Sequence, residues 1–247
     1  MIKDFEYTLK NLFFSEKFLL KKRLKRALKD NYEKELELIE SFGNINKSAV
    51  DVGVYRGVYS YKLSKYFKRV FSYEPNPLLY PYLKKNLGQI IQNMTISNLA
   101  LSDKTGNINL RIPKRSRSIF KKNIEELYQL GCATIHHQNQ FIKYDSFTVK
   151  KEKLDNLLQD EQIGFIKIDV EGHESEVIKG SLELIKKQKP ILLIEIEERH
   201  SKKPVFETIK FINSLGYKSY YLEKKKIIST NNLNDFKKNN NYLFKED

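Results

Sequence analysis

Residues 164–170 and 191–196 form two short, almost continuously apolar runs, separated by residues 175–187, which carry a helical period. Strands that are apolar on both faces belong in the middle of a parallel sheet covered by helices on each side. The same alternation runs along the chain. Strands are expected at 48–52, 69–73, 94–99, 107–112, 217–222 and 242–244. Helices are expected at 58–67, at 78–87 between Pro77 and Gly88, and at 154–158, 175–187 and 206–215. Repeated β–α units predict an α/β, doubly wound, mostly parallel sheet. The last two strands follow each other without a helix, which predicts an antiparallel hairpin at the sheet edge.

Before this alternation, residues 12–42 read as one or two helices, with Leu20, Leu24 and Leu28 recurring every fourth residue. The expected division is an N-terminal basic helical extension at 1–46 and a main domain at 47–247. The main domain holds an insert at 113–147 that is basic and weakly periodic. Residues 17–29 carry seven basic side chains and no acid. A solvated face over the sheet edge is the plain reading; a surface that docks on anionic membrane is the functional one. The net charge of +14 attracts anionic partners without specifying a fold. With 40% hydrophobic and 31% charged residues, no bilayer-length apolar run and no secretory leader, a cytoplasmic protein is expected, peripheral to the inner face of the membrane if the basic helix docks there. The single cysteine, Cys132, can form neither an internal disulfide nor a thiolate zinc site by itself, and reads as a packed thiol.

Doubly wound sheets bind ligands beyond the carboxyl ends of their strands. The first strand feeds Asp51-Val52-Gly53-Val54-Tyr55-Arg56-Gly57, and the second ends at Glu74, about twenty residues on. Gly53 permits a tight turn, Gly57 lets the next helix approach, and a carboxylate at Glu74 accepts ribose hydroxyls. The loop is Gly-x-x-x-Gly rather than the Gly-x-Gly-x-x-Gly of a dinucleotide site, and Asp51 before the glycine suits a sulfonium better than a phosphate. S-adenosylmethionine is therefore expected rather than NAD.

Several blocks then stand in one order: Val50-Asp51-Val52-Gly53, Gly57, Tyr59-Ser60, Tyr73-Glu74-Pro75-Asn76-Pro77, Ala100-Leu101-Ser102-Asp103, Gly106, Ile166-Lys167-Ile168-Asp169-Val170-Glu171-Gly172-His173-Glu174, and Lys179-Gly180. Over residues 48–197 the chain resembles the FkbM-type methyltransferases. The resemblance implies a Rossmann-like sheet of the class I methyltransferase type, S-adenosylmethionine as cofactor, and methylation of hydroxyl groups, often on sugars or polyketide-like products. It places Asp51, Gly53 and Gly57 in the first cofactor loop, Glu74 and its neighbour Asn76 at the ribose, and Ala100 and Asp103 near the adenine. Tyr55-Arg56 stands where the family often has Ala-Asn, so Arg56 would pair with the carboxylate of the cofactor or point away.

For a hydroxyl acceptor the chemistry needs alignment and a base. Asp169, at the carboxyl end of the 164–170 strand, is the first candidate; a Lys167–Asp169 ion pair bracing the sheet is its structural alternative. Glu171 would hold substrate or cap the next helix. His173 would serve as a neutral base near that helix's start, or be a solvated loop histidine. Asp169, Glu171 and Glu195 could converge on magnesium, although acids at strand ends also occur without metal, and a metal-free site is favoured. His136 and His137 in the insert read as exposed. The acceptor is expected to be a small molecule or glycan, most simply a sugar hydroxyl of a surface glycan or glycolipid. The alternatives are an RNA methyltransferase, which the charge invites but no Asn-Pro-Pro-Tyr block supports, and a nicotinamide oxidoreductase, which the glycine spacing disfavours.

Overall fold

The computed structural model describes residues 15–30, 33–115, 127–135, 143–201, 204–230 and 239–246. His136, His137, Arg117, Lys121, Lys122 and residues 12–14 of the expected first helix lie outside them. In chain order the elements are α1 (Glu16–Lys29), a 3-10 turn (Lys34–Glu37), α2 (Leu38–Ser41), β1 (Ser48–Val52), α3 (Val58–Leu63), β2 (Val70–Tyr73), α4 (Tyr80–Leu87), β3 (Met94–Ser97), β4 (Ala100–Leu101) and β5 (Gly106–Pro113). There follow a second 3-10 turn (Leu130–Cys132), β6 (Tyr144–Glu152), α5 (Leu154–Leu157), β7 (Ile163–Ile168), α6 (Glu174–Lys179), α7 (Leu182–Gln188), β8 (Ile191–Glu195), α8 (Glu198–Ser201), α9 (Val205–Ser214), β9 (Lys218–Glu223), β10 (Lys226–Ser229) and β11 (Asn241–Lys245).

An eight-stranded sheet has the order β10-β9-β11-β8-β7-β1-β2-β3. Its β8-β7-β1-β2-β3 part is parallel, and β11 runs antiparallel to both β8 and β9. This is the expected doubly wound arrangement. Alternate side chains of the buried strands serve opposite faces. Val50, Val52, Ile166, Ile168, Leu192 and Ile194 meet α5, α6, α7 and α9 on one side. Ala49, Phe165 and Leu193 meet Leu36, Ile39, Tyr59 and Leu63 on the other. The segment that follows α1 therefore lies directly on the sheet. α1 itself buries Leu20 and Leu24 against the helices α3 and α4 rather than over a sheet edge, and turns Lys17, Lys21, Lys22 and Arg23 to solvent.

Within 12–42 the described residues form two helices, as one of the two expected readings has it: α1 ends at Lys29 with Asp30 as its C-cap, and α2 follows the 3-10 turn. Three local expectations are corrected. The 94–99 strand ends at Ser97, and the next two residues to form a strand, Ala100 and Leu101, pair with β6 in another sheet. β6 has no counterpart among the expected strands. It pairs antiparallel with β5 over eight residues and makes a second, three-stranded sheet, β4-β6-β5. Its sequence, Tyr-Asp-Ser-Phe-Thr-Val-Lys-Lys-Glu, is too charged to read as a strand and is mostly solvated. At the sheet edge the hairpin is β9–β10, with β11 inserted between β9 and β8. That hairpin turns through Lys224 and Lys225 at φ 45° and 66°, so no Asn-Gly signal marks it.

The 175–187 helix also divides, at Gly180-Ser181. The Ser181 hydroxyl donates to the Val177 carbonyl (2.7 Å), while the buried Asp155 carboxylate accepts the Glu183 and Leu184 N–H groups (3.1 and 2.9 Å) and so caps α7. Asp155→Ala removes that acceptor and should lower unfolding stability by about 1–3 kcal/mol, read as a lower urea midpoint with an unchanged slope.

Candidate active site

The carboxyl ends of β7, β1 and β2 are stitched at one level: the Asp169 N–H donates to the Val52 carbonyl (2.9 Å) and the Gly53 N–H to the Tyr73 carbonyl (3.0 Å). Gly53 has φ +87°, and a Cβ there would fall 1.8 Å from the Asp169 carbonyl oxygen, so no other residue fits. From β1 the chain order runs outward in both directions, which is where such sheets open a crevice. A cavity of about 270 Å³ lies there, near the lower end of the roughly 300–1,000 Å³ common for small-molecule sites.

One end of the cavity is apolar, lined by Leu99, Ala100, Leu101 and Leu110. Its middle carries Glu74, buried and oriented by two backbone donors, the N–H groups of Tyr55 (3.0 Å) and Asn76 (2.9 Å). Burial pushes the Glu74 carboxyl up, against those hydrogen bonds. Each oxygen keeps a lone pair for a further donor. Tyr55, at φ +46°, lays its ring against Gly131, and the Arg56 guanidinium stands 5.0 Å from that ring's centroid.

The other end is polar, with Asp169, Glu171, Glu195, Tyr59 and Glu33. Beneath it, Lys167 is almost wholly buried. Its ammonium lies 3.8 Å from Asp169 Oδ2, donates to Asn241 Oδ1 (3.2 Å), and stands 4.8 Å from the Tyr59 ring centroid. Asp169 thus makes the bracing ion pair and also faces the cavity, with a third of its side chain exposed. Burial and the Asp169 charge push the Glu195 carboxyl well up, so that it is protonated at neutral pH and donates to Asp169. Glu171 has φ +52°, its carbonyl accepts from the Thr134 hydroxyl (2.9 Å), and burial, with Asp169 and Glu197 nearby, raises its carboxyl to about 8.

Of the residues singled out from sequence, Gly53, Arg56, Glu74, Ala100, Asp169, Glu171 and Glu195 line this cavity. Asp51, Gly57, Asn76, Asp103 and His173 are not among its lining residues. The Asp51 carboxylate accepts from Ser60 Oγ (2.5 Å) beneath α3, so its charge faces the core rather than a ligand. At Gly57 (φ +75°) a Cβ would sit 2.4 Å from Leu87, which makes it a packing position between α3 and α4. Asn76 accepts from the Leu78 N–H (3.0 Å) and is fully buried. Asp103 accepts from the Ser102 hydroxyl (3.1 Å), which also meets His173 Nε2 at 3.0 Å. His173 is buried in that contact, neither a solvated loop residue nor a cavity group. Asp169, Glu171 and Glu195 do not form a metal-holding group, and among the described residues no three His, Cys, Asp or Glu side chains do. Burial pushes the half-buried Cys132 thiol up, away from thiolate reactivity.

Three groups were not visible from sequence. Glu33 arrives from the segment that follows α1, and Leu130, Gly131, Ala133 and Ile135 arrive from the insert. Both require knowledge of how distant segments fold back. Tyr59 stood inside a quoted motif without a role, although its place two residues past Gly57 is a local signal.

The sequence model of the methyltransferase FkbM domain matches residues 51–219. The chain belongs to this methyltransferase family. Among solved structures, methyltransferase FkbM from Methylobacillus flagellatus is 16% identical with a TM-score of 0.51, covering 81% of this chain and 43% of that one. The chain therefore spans less than half the length of that protein, with which it shares the fold. An rRNA methylase from Streptococcus thermophilus matches with a TM-score of 0.47 at 12% identity, over 87% of this chain and 95% of that one. A Streptococcus mutans protein described as a putative methyltransferase, in complex with SAH, matches at 0.46 and 14% identity, over 86% of this chain and 96% of that one. No curated protein matches the chain.

This FkbM-family site stores unfavourable ionisation. Burial raises Asp51 and Glu174 to about 7 and Glu171 to about 8, against about 4 in an unfolded chain. Carboxyls raised on folding contribute stability that is complete below the unfolded value and is lost as pH rises through the folded one. The melting temperature of the ligand-free protein should fall between about pH 4 and pH 8. Asp51→Asn, which cannot ionise, should flatten that fall by several degrees, at about 2–4 °C per kcal/mol for a chain of this size; scanning fluorimetry across pH measures both slopes.

Proposed function

We propose that this protein transfers a methyl group from S-adenosylmethionine to a hydroxyl group of a sugar in a surface glycan or glycolipid. The observation that carries the proposal is the division of one cavity into an apolar end, a buried carboxylate in its middle and a polar end over Asp169. The residues present fit the cofactor. Leu99, Ala100, Leu101 and Leu110 suit an adenine, the two oriented oxygens of Glu74 suit ribose hydroxyls, and Gly53 with Arg56 suits the amino-acid end. When bound, the cofactor supplies an already activated methyl on a sulfonium, which leaves the protein alignment and proton removal.

Asp169 holds the acceptor hydroxyl and takes its proton. Lys167 and the protonated Glu195 fix the Asp169 carboxylate from behind and beside it, so that it keeps one orientation. Tyr55 and the turn at Leu130–Cys132 wall the cavity and exclude water. The exposed lysines and arginines of α1 would hold the enzyme near an anionic membrane surface, each worth about 1 kcal/mol when close to it. The net charge of +14 would equally serve a nucleic acid, but the polar end of the cavity is acidic, which opposes a phosphate-rich acceptor.

S-adenosylhomocysteine at about one hundred times its Kd should raise the melting temperature by roughly 5–10 °C. NAD should not, and Glu74→Ala should abolish most of the rise. Stabilisation by NAD alone would contradict the cofactor assignment.

Asp169→Asn should lower turnover by about 10²–10⁴-fold while leaving S-adenosylhomocysteine affinity nearly unchanged. In a host deleted for the gene, surface glycans should be lighter by one CH₂. The wild-type gene should restore the mass and the Asp169→Asn gene should not. Unchanged glycans together with a methyl missing from ribosomal or transfer RNA would replace this acceptor with a nucleic acid.

A further inference from the structure

The hydroxyl of Tyr59 is buried inside a polar cavity wall yet makes no hydrogen bond to any described residue. Only 7% of the residue is exposed. The phenol is held in place by its ring, which lies over the Lys167 ammonium and packs with Leu36, Leu63 and Phe67. Glu33 faces it across the same end of the cavity: burial pushes the phenol well up, and the Glu33 charge with a weak hydrogen-bonding approach adds to that, short of a well-formed hydrogen bond. A buried polar group without a partner costs about 1–3 kcal/mol, and both groups line space that a ligand can enter. Such an arrangement is consistent with a partner that arrives with the substrate.

The chemistry around Tyr59 narrows that partner. The polar end holds four carboxyl groups, Glu33, Asp169, Glu171 and Glu195, although the whole chain carries a net charge of +14. A carboxylate or phosphate placed there would face like charges. An ammonium offers donors only, so it cannot receive the Tyr59 proton, and it would stand beside the like-charged Lys167. A hydroxyl both donates and accepts. Adjacent hydroxyls of a neutral sugar ring can therefore receive from Tyr59, give to Glu33, and give to Asp169 at the methylated oxygen.

We infer that Tyr59 and Glu33 form the acceptor-recognition pair of this enzyme, binding a hydroxyl of a neutral sugar next to the one that Asp169 holds. The inference rests on the sugar-hydroxyl reading above. It makes the segment after α1 part of the acceptor site: Glu33 precedes the 3-10 turn whose Leu36 packs on the sheet, so the pair is brought together by that packing.

The test uses the full chain, S-adenosylmethionine labelled at the methyl group, and as acceptor the envelope glycan fraction from a host deleted for the gene. Wild-type protein should label that fraction, and acid hydrolysis should place the label on a neutral monosaccharide. Tyr59→Phe and Glu33→Gln should each raise KM for the fraction about tenfold, the equivalent of one lost hydrogen bond. Neither should change the dissociation constant for S-adenosylhomocysteine by more than about twofold, which also shows that each variant is folded. If Tyr59→Phe does not fold, Glu33→Gln, on a partly exposed residue, decides alone. No labelling by wild type sinks the sugar reading and this inference with it. Labelling by wild type with an unchanged KM in a folded variant overturns the recognition pair alone. Label recovered on a uronic acid, or on a sugar that carries a free amine before hydrolysis, overturns the neutral-sugar assignment.

Discussion

A single buried ammonium organises this protein. Lys167 lies one residue before the carboxyl end of β7, 1% exposed, on the sheet face that also carries Asp51 from β1 and Glu195 from β8. A charge so placed requires partners, and removal of one partner from such a set is far more costly than the set is stabilising. The partners come from all around it: Asp169 beyond the same strand, Asn241 on β11, and the ring of Tyr59 on α3. Glu35, on the 3-10 turn before α2, also feels its charge. The chain after α1, the last strand and the first β–α unit are thereby tied to one point beneath the cavity.

Asp169 lies 3.8 Å from the ammonium, whereas Glu195, beside Asp169, is pushed well up by burial and by its neighbour's charge, against the pull of Lys167. The strained turn at Glu171 and Gly172, both at positive φ, carries the chain from β7 into α6 at this place. Backbone strain of this kind persists where surrounding contacts over-determine it, and here Thr134 of the insert supplies one of them.

The parts of the fold that could be read from sequence are those with a strong local signal. β1, β7 and β8 are short apolar runs bounded by turn residues, and each emerged within two residues of its expected bounds at either end. Gly53 and Glu74 were legible because a glycine turn and an acid at the next strand end are local features. β6 and β10 were not, since β6 alternates only at Phe147 and Val149 between charged ends, β10 is four residues long, and a turn made by two lysines carries no glycine or asparagine. Asp51 and His173 lie outside the cavity lining for one common reason: spacing along the chain places a residue near that end of the sheet, but only packing decides which way its side chain turns. Asp51 turns to Ser60, and His173 to Ser102.

The amino-acid sequence by itself therefore determined the doubly wound sheet, its methyltransferase family and the positions of the first glycine and of the buried carboxylate that lines the cavity. Each follows from periodicity or from a motif contained within a few tens of residues. Tertiary structure alone decided the polar end of the cavity. Glu33, Tyr59, Asp169 and Glu195 are spread over more than 160 residues, and no local pattern links them. They meet because parallel strands bring their carboxyl ends to one edge of the sheet, and because the chain after α1 folds back over the buried Lys167.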